Sequence, residues 1–85
     1  MPRSVFTDAY AMMLQVLVAA RSEAGLTQAE LSSKLGKPQP FVSKVERGVR
    51  RIDVVEFYAI AKALKADPVA LFAKVAKRLP ASVDI

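Results

Sequence analysis

The sequence predicts an all-α domain of five short helices, and three observations carry that reading. Sustained period-2 alternation, the mark of a strand, occurs nowhere, whereas Val54, Phe57, Ile60, Ala61 and Leu64 recur at helical spacing. Helix-start grammar occurs twice in full: Thr27 with Glu30, and Asp53 with Glu56, have the spacing of a capping box. Stop signals follow at Gly25, Gly36, Gly48 and Pro80. With 85 residues, 53% of them apolar and 25% charged, the chain has material for one thin core and is no disordered tail. One domain over residues 1–85 is expected.

The first helix is expected over residues 5–24, ending at Gly25. Its middle, residues 9–20, is apolar apart from Gln15. That run is far shorter than the ~20 residues a bilayer span needs. Asp8 and the sparse positive charge before it also argue against an export signal, so a cytoplasmic location is expected. One face belongs in the core, leaving Met12, Met13 and Val16 as surplus apolar surface. The second helix, expected over 28–35, starts with Thr27 as N-cap, Glu30 at N3, and Leu26 placed to staple onto Leu31. Gly36 supplies the turn that ends it. The third, over 39–47, has Pro40 in its first turn, where a missing N–H does no harm, and stops at Gly48. The fourth, over 54–65, repeats the starting grammar with Asp53, Glu56 and an Ile52–Phe57 staple. The fifth, over 68–79, opens with Asp67 as cap and Pro68 at N1 and is ended by Pro80.

Charge and composition narrow the function. There is no His and no Cys, which excludes zinc fingers, disulfide scaffolds, thiol nucleophiles and histidine bases. No cofactor or metal site and no small-molecule ligand is evident, and an enzyme is not expected. The net charge is +5, and all of it lies within one stretch. Between residues 34 and 51, Lys34, Lys37, Lys44, Arg47, Arg50 and Arg51 are opposed by Glu46 alone; elsewhere acids and bases cancel. An anionic partner is the natural reading of such a strip, although a solvated charge run is the bland alternative.

The second and third helices form a short helix, a glycine-containing turn and a second short helix, which is helix-turn-helix spacing. Leu31 and Leu35 suit the inward face, Ser32 is small enough for a crossing helix, and Val42 and Val45 can face back. An ordinary αα-hairpin shares this pattern.

The runs GLTQAEL at 25–31, LG at 35–36, VSKVERG at 42–48 and AKAL at 61–64 are more specific. With them the chain resembles the phage repressor/Cro (xenobiotic-response-element, XRE) helix-turn-helix family over roughly residues 14–72. The resemblance implies a five-helix, lambda-repressor-like fold that binds double-stranded DNA. It also implies roles. Gln28 contacts a phosphate and supports the leading glutamine of the next helix. Gln39 reaches a base edge, where a glutamine amide pairs bidentately with adenine N6 and N7; the plainer reading is a polar residue at a helix start. Ser43 and Lys44 follow on the exposed face, with Lys44 on a guanine or on a phosphate. Arg21 pairs with Glu46, which neutralises the one acid in the phosphate-facing strip. Lys37, Arg47, Arg50 and Arg51 grip the backbone.

Two departures stand out. Pro38, Pro40 and Phe41 occupy positions where the family has small polar residues, so the recognition helix lacks its ordinary Ser or Thr cap. Phe41 either packs on a thymine methyl or folds back onto the core. One recognition helix reads too few base pairs to select a genomic site, so a homodimer on a pseudo-palindromic operator is expected. Val69, Leu71, Phe72, Val75 and Leu79 of the fifth helix are the candidate dimer contact; the alternative is that they close the monomer core. Such a dimer would act as a transcriptional repressor or controller. A competing reading is an antitoxin or other protein-interaction module, against which the few residues after Leu79 weigh.

Overall fold

The computed structural model describes residues 8–85, so the expected start of the first helix near residue 5 lies outside the described residues. Five helices follow one another: α1 (Asp8–Glu23), α2 (Gln28–Lys34), α3 (Phe41–Glu46), α4 (Val54–Ala63) and α5 (Pro68–Arg78). No strand occurs among the described residues. α1 packs against α3 and α5, α2 against α3 and α4, and α4 against α5. The main core gathers Val16 and Leu17 from α1, Leu31 from α2, Val42 from α3, Phe57 and Ile60 from α4, and Leu71 and Val75 from α5. A smaller cluster of Tyr10, Leu14 and Val45 lies between α1 and α3, and Met13, Phe41 and Ile52 pack against both groups. α3 is thus seated over the joint between two apolar clusters.

The caps work as the residue types dictate. Thr27 Oγ1 accepts from the Glu30 amide at 3.0 Å, and Glu30 Oε1 accepts from the Thr27 amide at 2.8 Å. Asp53 and Glu56 make the same reciprocal pair at 2.7 and 2.9 Å. Asp67 Oδ1 accepts from Val69 N at 2.9 Å, one residue beyond Pro68. Each pair satisfies amides that a helix start would otherwise leave without partners.

The structure differs from the sequence expectations at several boundaries. α3 begins at Phe41 rather than 39, because residues 39 and 40 form a turn closed by Phe41 N donating to Pro38 O at 3.0 Å. α4 ends at Ala63 rather than 65. Its last carbonyls are closed by Ala66 N donating to Ala61 O at 2.9 Å, which requires Lys65 to adopt the left-handed region at φ 58°. Sequence patterning had no way to announce this stop, since a lysine stands where a glycine is favoured. Leu71 and Val75, expected at a dimer contact, are only 4% and 1% exposed in the single chain. They face α1 and α4 and belong to the core. Val16 is likewise buried, so it is not surplus surface.

The left-handed positions give a stability test. Lys65→Gly relieves a backbone strain of about 1 kcal/mol and should raise unfolding free energy by roughly 0.5–1 kcal/mol. Gly36→Ala should do the reverse by about 1–2 kcal/mol through backbone strain, because an added Cβ at Gly36 meets nothing within 4 Å. Urea titrations followed by circular dichroism measure both.

Candidate nucleic-acid interface

The site is built from the turn between α2 and α3. Gly36 takes φ 68°, and Lys37 N donates to Ser32 O at 3.0 Å, so the chain reverses within a few residues. Pro40 stands at the N-cap of α3 and offers no side-chain acceptor. Ser32 supplies one from the neighbouring helix. Its side chain is fully buried, and its Oγ accepts from Val42 N at 3.0 Å while donating to Gln39 O at 3.1 Å. The missing cap is therefore replaced across the helix pair, and the hydroxyl grips both sides of the turn that presents Gln39. The sequence showed why Ser32 must be small. It held no sign that its hydroxyl would cap α3.

Val42 and Val45 face inward, which turns the other side of α3 to solvent. Gln39 and Lys44 are exposed there, and Ser43 is half-buried between them. Gln39 and Ser43 share a shallow, open depression with Thr27 and Gln28 from the start of α2. The candidate reading residues are thus on one surface.

Beneath that surface lies a charged network. Arg21 Nε donates to Glu46 Oε2 at 2.7 Å and Nη2 to Oε1 at 3.1 Å, a bidentate pair with side chains 16% and 8% exposed. Arg21 Nη1 also donates to Leu26 O at 2.8 Å, tying α1 to the chain just before α2. Gln28 Nε2 donates to Glu46 Oε1 at 2.8 Å. The hydrogen bond to Glu46 holds the Arg21 guanidinium above its ordinary pKa, against the opposing pull of burial. The expected pairing of Arg21 with Glu46 is present. Gln28, expected on a phosphate, first links α2 to this pair; one amide N–H and its carbonyl oxygen remain for other partners.

The loop after α3 sorts its cations. Arg50 Nη2 pairs with Glu56 Oε2 at 2.8 Å, and Nη1 donates to Arg51 O at 2.8 Å. Arg50, expected to grip a phosphate, therefore has its charge matched inside the chain. Arg47 is exposed, with Nε donating weakly to Ser43 O at 3.4 Å. The Arg51 guanidinium stacks 4.1 Å above the Tyr10 ring. Phe41, a candidate for thymine contact, instead packs against both apolar clusters. Lys37 Nζ lies 5.5 Å and the Arg50 guanidinium 5.0 Å from its ring centre. Its half-buried ring thus lies between the core and two cations. Neither the Arg50–Glu56 pair nor the Tyr10–Arg51 stack carries a sequence signal, because no helix periodicity links those positions.

Comparison with known proteins bears on what this arrangement is. The family model described as Helix-turn-helix (HTH_3) matches residues 17–71, spanning every element from mid-α1 into α5. The chain belongs to the XRE-type helix-turn-helix family. An uncharacterized HTH-type transcriptional regulator of Sinorhizobium fredii, y4dJ, is 41% identical over 51 residues, which is 60% of this chain and 66% of that protein. Among solved structures, an XRE-family like protein from Pseudomonas syringae pv. tomato is 46% identical, with a TM-score of 0.78 over 85% of this chain and 88% of its own. The restriction-modification controller protein C.Esp1396I is 25% identical, with a TM-score of 0.76 over 85% of this chain and 92% of its own. Among the described residues no helix of this XRE-type chain is long and apolar enough to cross a membrane, and no cluster of metal-ligating side chains occurs.

Two outcomes test the site's construction. Ser32→Ala leaves Val42 N–H and Gln39 C=O without their partner in a closed space, and should cost about 1–3 kcal/mol, read by thermal unfolding. The second concerns pH. The Glu56 carboxyl is held below its ordinary value of 4.5, first by the Arg50 hydrogen bond and then by the Asp53 amide. A depressed folded-state pKa contributes stability above pH 4.5 that is lost as pH falls through the folded value. Glu56→Gln should therefore flatten the acid limb of the stability profile below pH 4.5, measured by unfolding at stepped pH.

Proposed function

We propose that this XRE-type chain is a sequence-specific transcriptional regulator that binds double-stranded DNA as a homodimer on a pseudo-palindromic operator. The observation that carries the reading is the sorting of charge around α3. The one acid of the basic strip, Glu46, is turned inward and neutralised by Arg21, while Lys37, Lys44, Arg47 and Arg51, on α3 and the segments flanking it, are exposed. Such a face suits a polyanion whose edges can be read by short polar side chains. Gln39, Ser43 and Lys44 are assigned to base edges, with the Gln39 amide suited to adenine. Lys37, Arg47 and Arg51 are assigned to phosphates, which fix register without carrying sequence information.

Dimerisation is assigned to the face shared by α4 and α5. Val69 and Phe72, from the expected set, are 79% and 47% exposed, and they border an apolar hollow with Val54 and Tyr58. Phe72 sits edge-on to buried Phe57 at 5.7 Å, which fixes its orientation. Leu79 is half-buried against the core and contributes at most an edge. Two protomers joined this way would offer paired α3 helices to successive turns of the major groove, about 34 Å apart.

With three phosphate contacts per protomer, log K for duplex DNA should fall against log salt with a slope of about −2.7 per protomer. Fluorescence anisotropy over a salt series measures it, and a flat response contradicts DNA binding. Val69→Asp with Phe72→Ser should convert a sedimenting dimer to a monomer without unfolding it. A wild type that sediments as a monomer both free and on DNA contradicts the dimer.

A further inference from the structure

Tyr10 is the one polar side chain that α1 contributes to the cluster beneath α3. It lies far from the helix-turn-helix in sequence, yet it meets the loop after α3 in two ways. Its hydroxyl oxygen accepts from Ile52 N at 3.0 Å, across 42 residues. Its ring, packed with Leu14 and Val45, has the Arg51 guanidinium carbon over it, 4.1 Å from the ring centre. The same side chain therefore fixes the backbone of one loop residue and the cation of the residue before it. The neighbouring arginine is held differently. Arg50 faces Glu56, so its charge is matched, whereas the described ion pairs give Arg51 no carboxylate. A cation resting on an aromatic face keeps its full charge and its outward N–H groups, while losing much of its rotamer freedom.

We propose that Tyr10 is a positioning residue for DNA binding: its ring and hydroxyl hold Arg51 aimed at one backbone phosphate flanking α3. The proposal rests on the DNA-binding reading above and adds a contribution from outside the helix pair. Ordering the guanidinium before contact removes an entropy cost that a free arginine would meet on binding. Since the stack neutralises nothing, the phosphate contact also keeps its full share of counterion release.

The test uses the full chain and a mixed-sequence duplex of roughly 20 base pairs, long enough for two turns of DNA. Anisotropy is followed over a salt series for wild type, Tyr10→Phe, Tyr10→Leu, Arg51→Ala and the Tyr10→Leu/Arg51→Ala double variant. Unfolding curves set a temperature at which every variant is folded. Arg51→Ala should weaken binding about fivefold at 0.15 M salt and make the salt slope shallower by about 0.9 per protomer, the signature of one lost phosphate in each. Tyr10→Leu should weaken binding roughly threefold to fivefold, and in that background Arg51→Ala should add less than about twofold. Tyr10→Phe keeps the ring but loses the bond to Ile52 N, and its affinity should fall between those of wild type and Tyr10→Leu. Independent, multiplying effects of the two changes would overturn the proposal, because a Tyr10 that merely stabilises the fold leaves the effect of Arg51 intact. Loss of affinity in Tyr10→Leu with no change on Arg51→Ala would overturn it too. A wild type that binds the duplex without salt dependence would instead remove the DNA-binding reading on which the proposal stands.

Discussion

The orientation of α3 depends on the bond between Arg21 and Glu46. A six-residue helix has almost no stability of its own, since isolated helices below ~12–15 residues are marginal in water. Its direction must come from outside. Arg21, near the end of α1, reaches the last residue of α3, the carbonyl before α2, and through Glu46 the amide of Gln28. One guanidinium thus ties three helices at a single point. Ser32 fixes the opposite end of α3 through Val42 N and Gln39 O. Between these anchors, Val42 and Val45 bury the inner face. The outward face is what remains; it carries Ser43 and Lys44, with Gln39 in the turn just before the helix.

The same bond explains the electrostatics. A carboxylate at position 46 left unpaired would oppose any polyanion approaching α3. Pairing it internally removes that opposition, and the low exposure of both groups protects the pair from solvent screening. Breaking it from one side leaves a charge in a partly desolvated position, which is why such pairs are costly to break although they add little net stability. Arg50 and Glu56 repeat the idea at a more exposed place, where the effect is smaller. The basic strip is consequently not uniform. Some of its cations hold the scaffold, and others face solvent outside the ion pairs of the described residues.

Much of this was legible in the sequence because local rules dominate a small helical domain. The Thr27 and Asp53 capping boxes, the Asp67 cap and the glycine stops depend on residues within four positions of one another, and all are present. The Arg21–Glu46 pair was accessible only through family resemblance, since no periodicity connects them. Features that depend on tertiary placement escaped. Phe41 turned inward because two apolar clusters meet beneath it. Leu71 and Val75 joined the core because α5 packs on both α1 and α4, leaving Val69 and Phe72 outside. Lys65 ends α4 in a conformation that favours glycine, so the stop was invisible to composition. The hydroxyl of Ser32 found its use only once Pro40 proved to have no cap to offer.

The central claim is that an α3 held rigidly at both ends reads bases through its outward polar face. Selection of binding sites from a pool of random duplexes, run in parallel on wild type and Gln39→Ala, tests it most directly. Wild type should recover an inverted repeat with half-sites about one helical turn apart, and Gln39→Ala should relax one position in each half-site while keeping the rest. Recovery of no preferred sequence by the wild type, or an unchanged preference in Gln39→Ala, would contradict it.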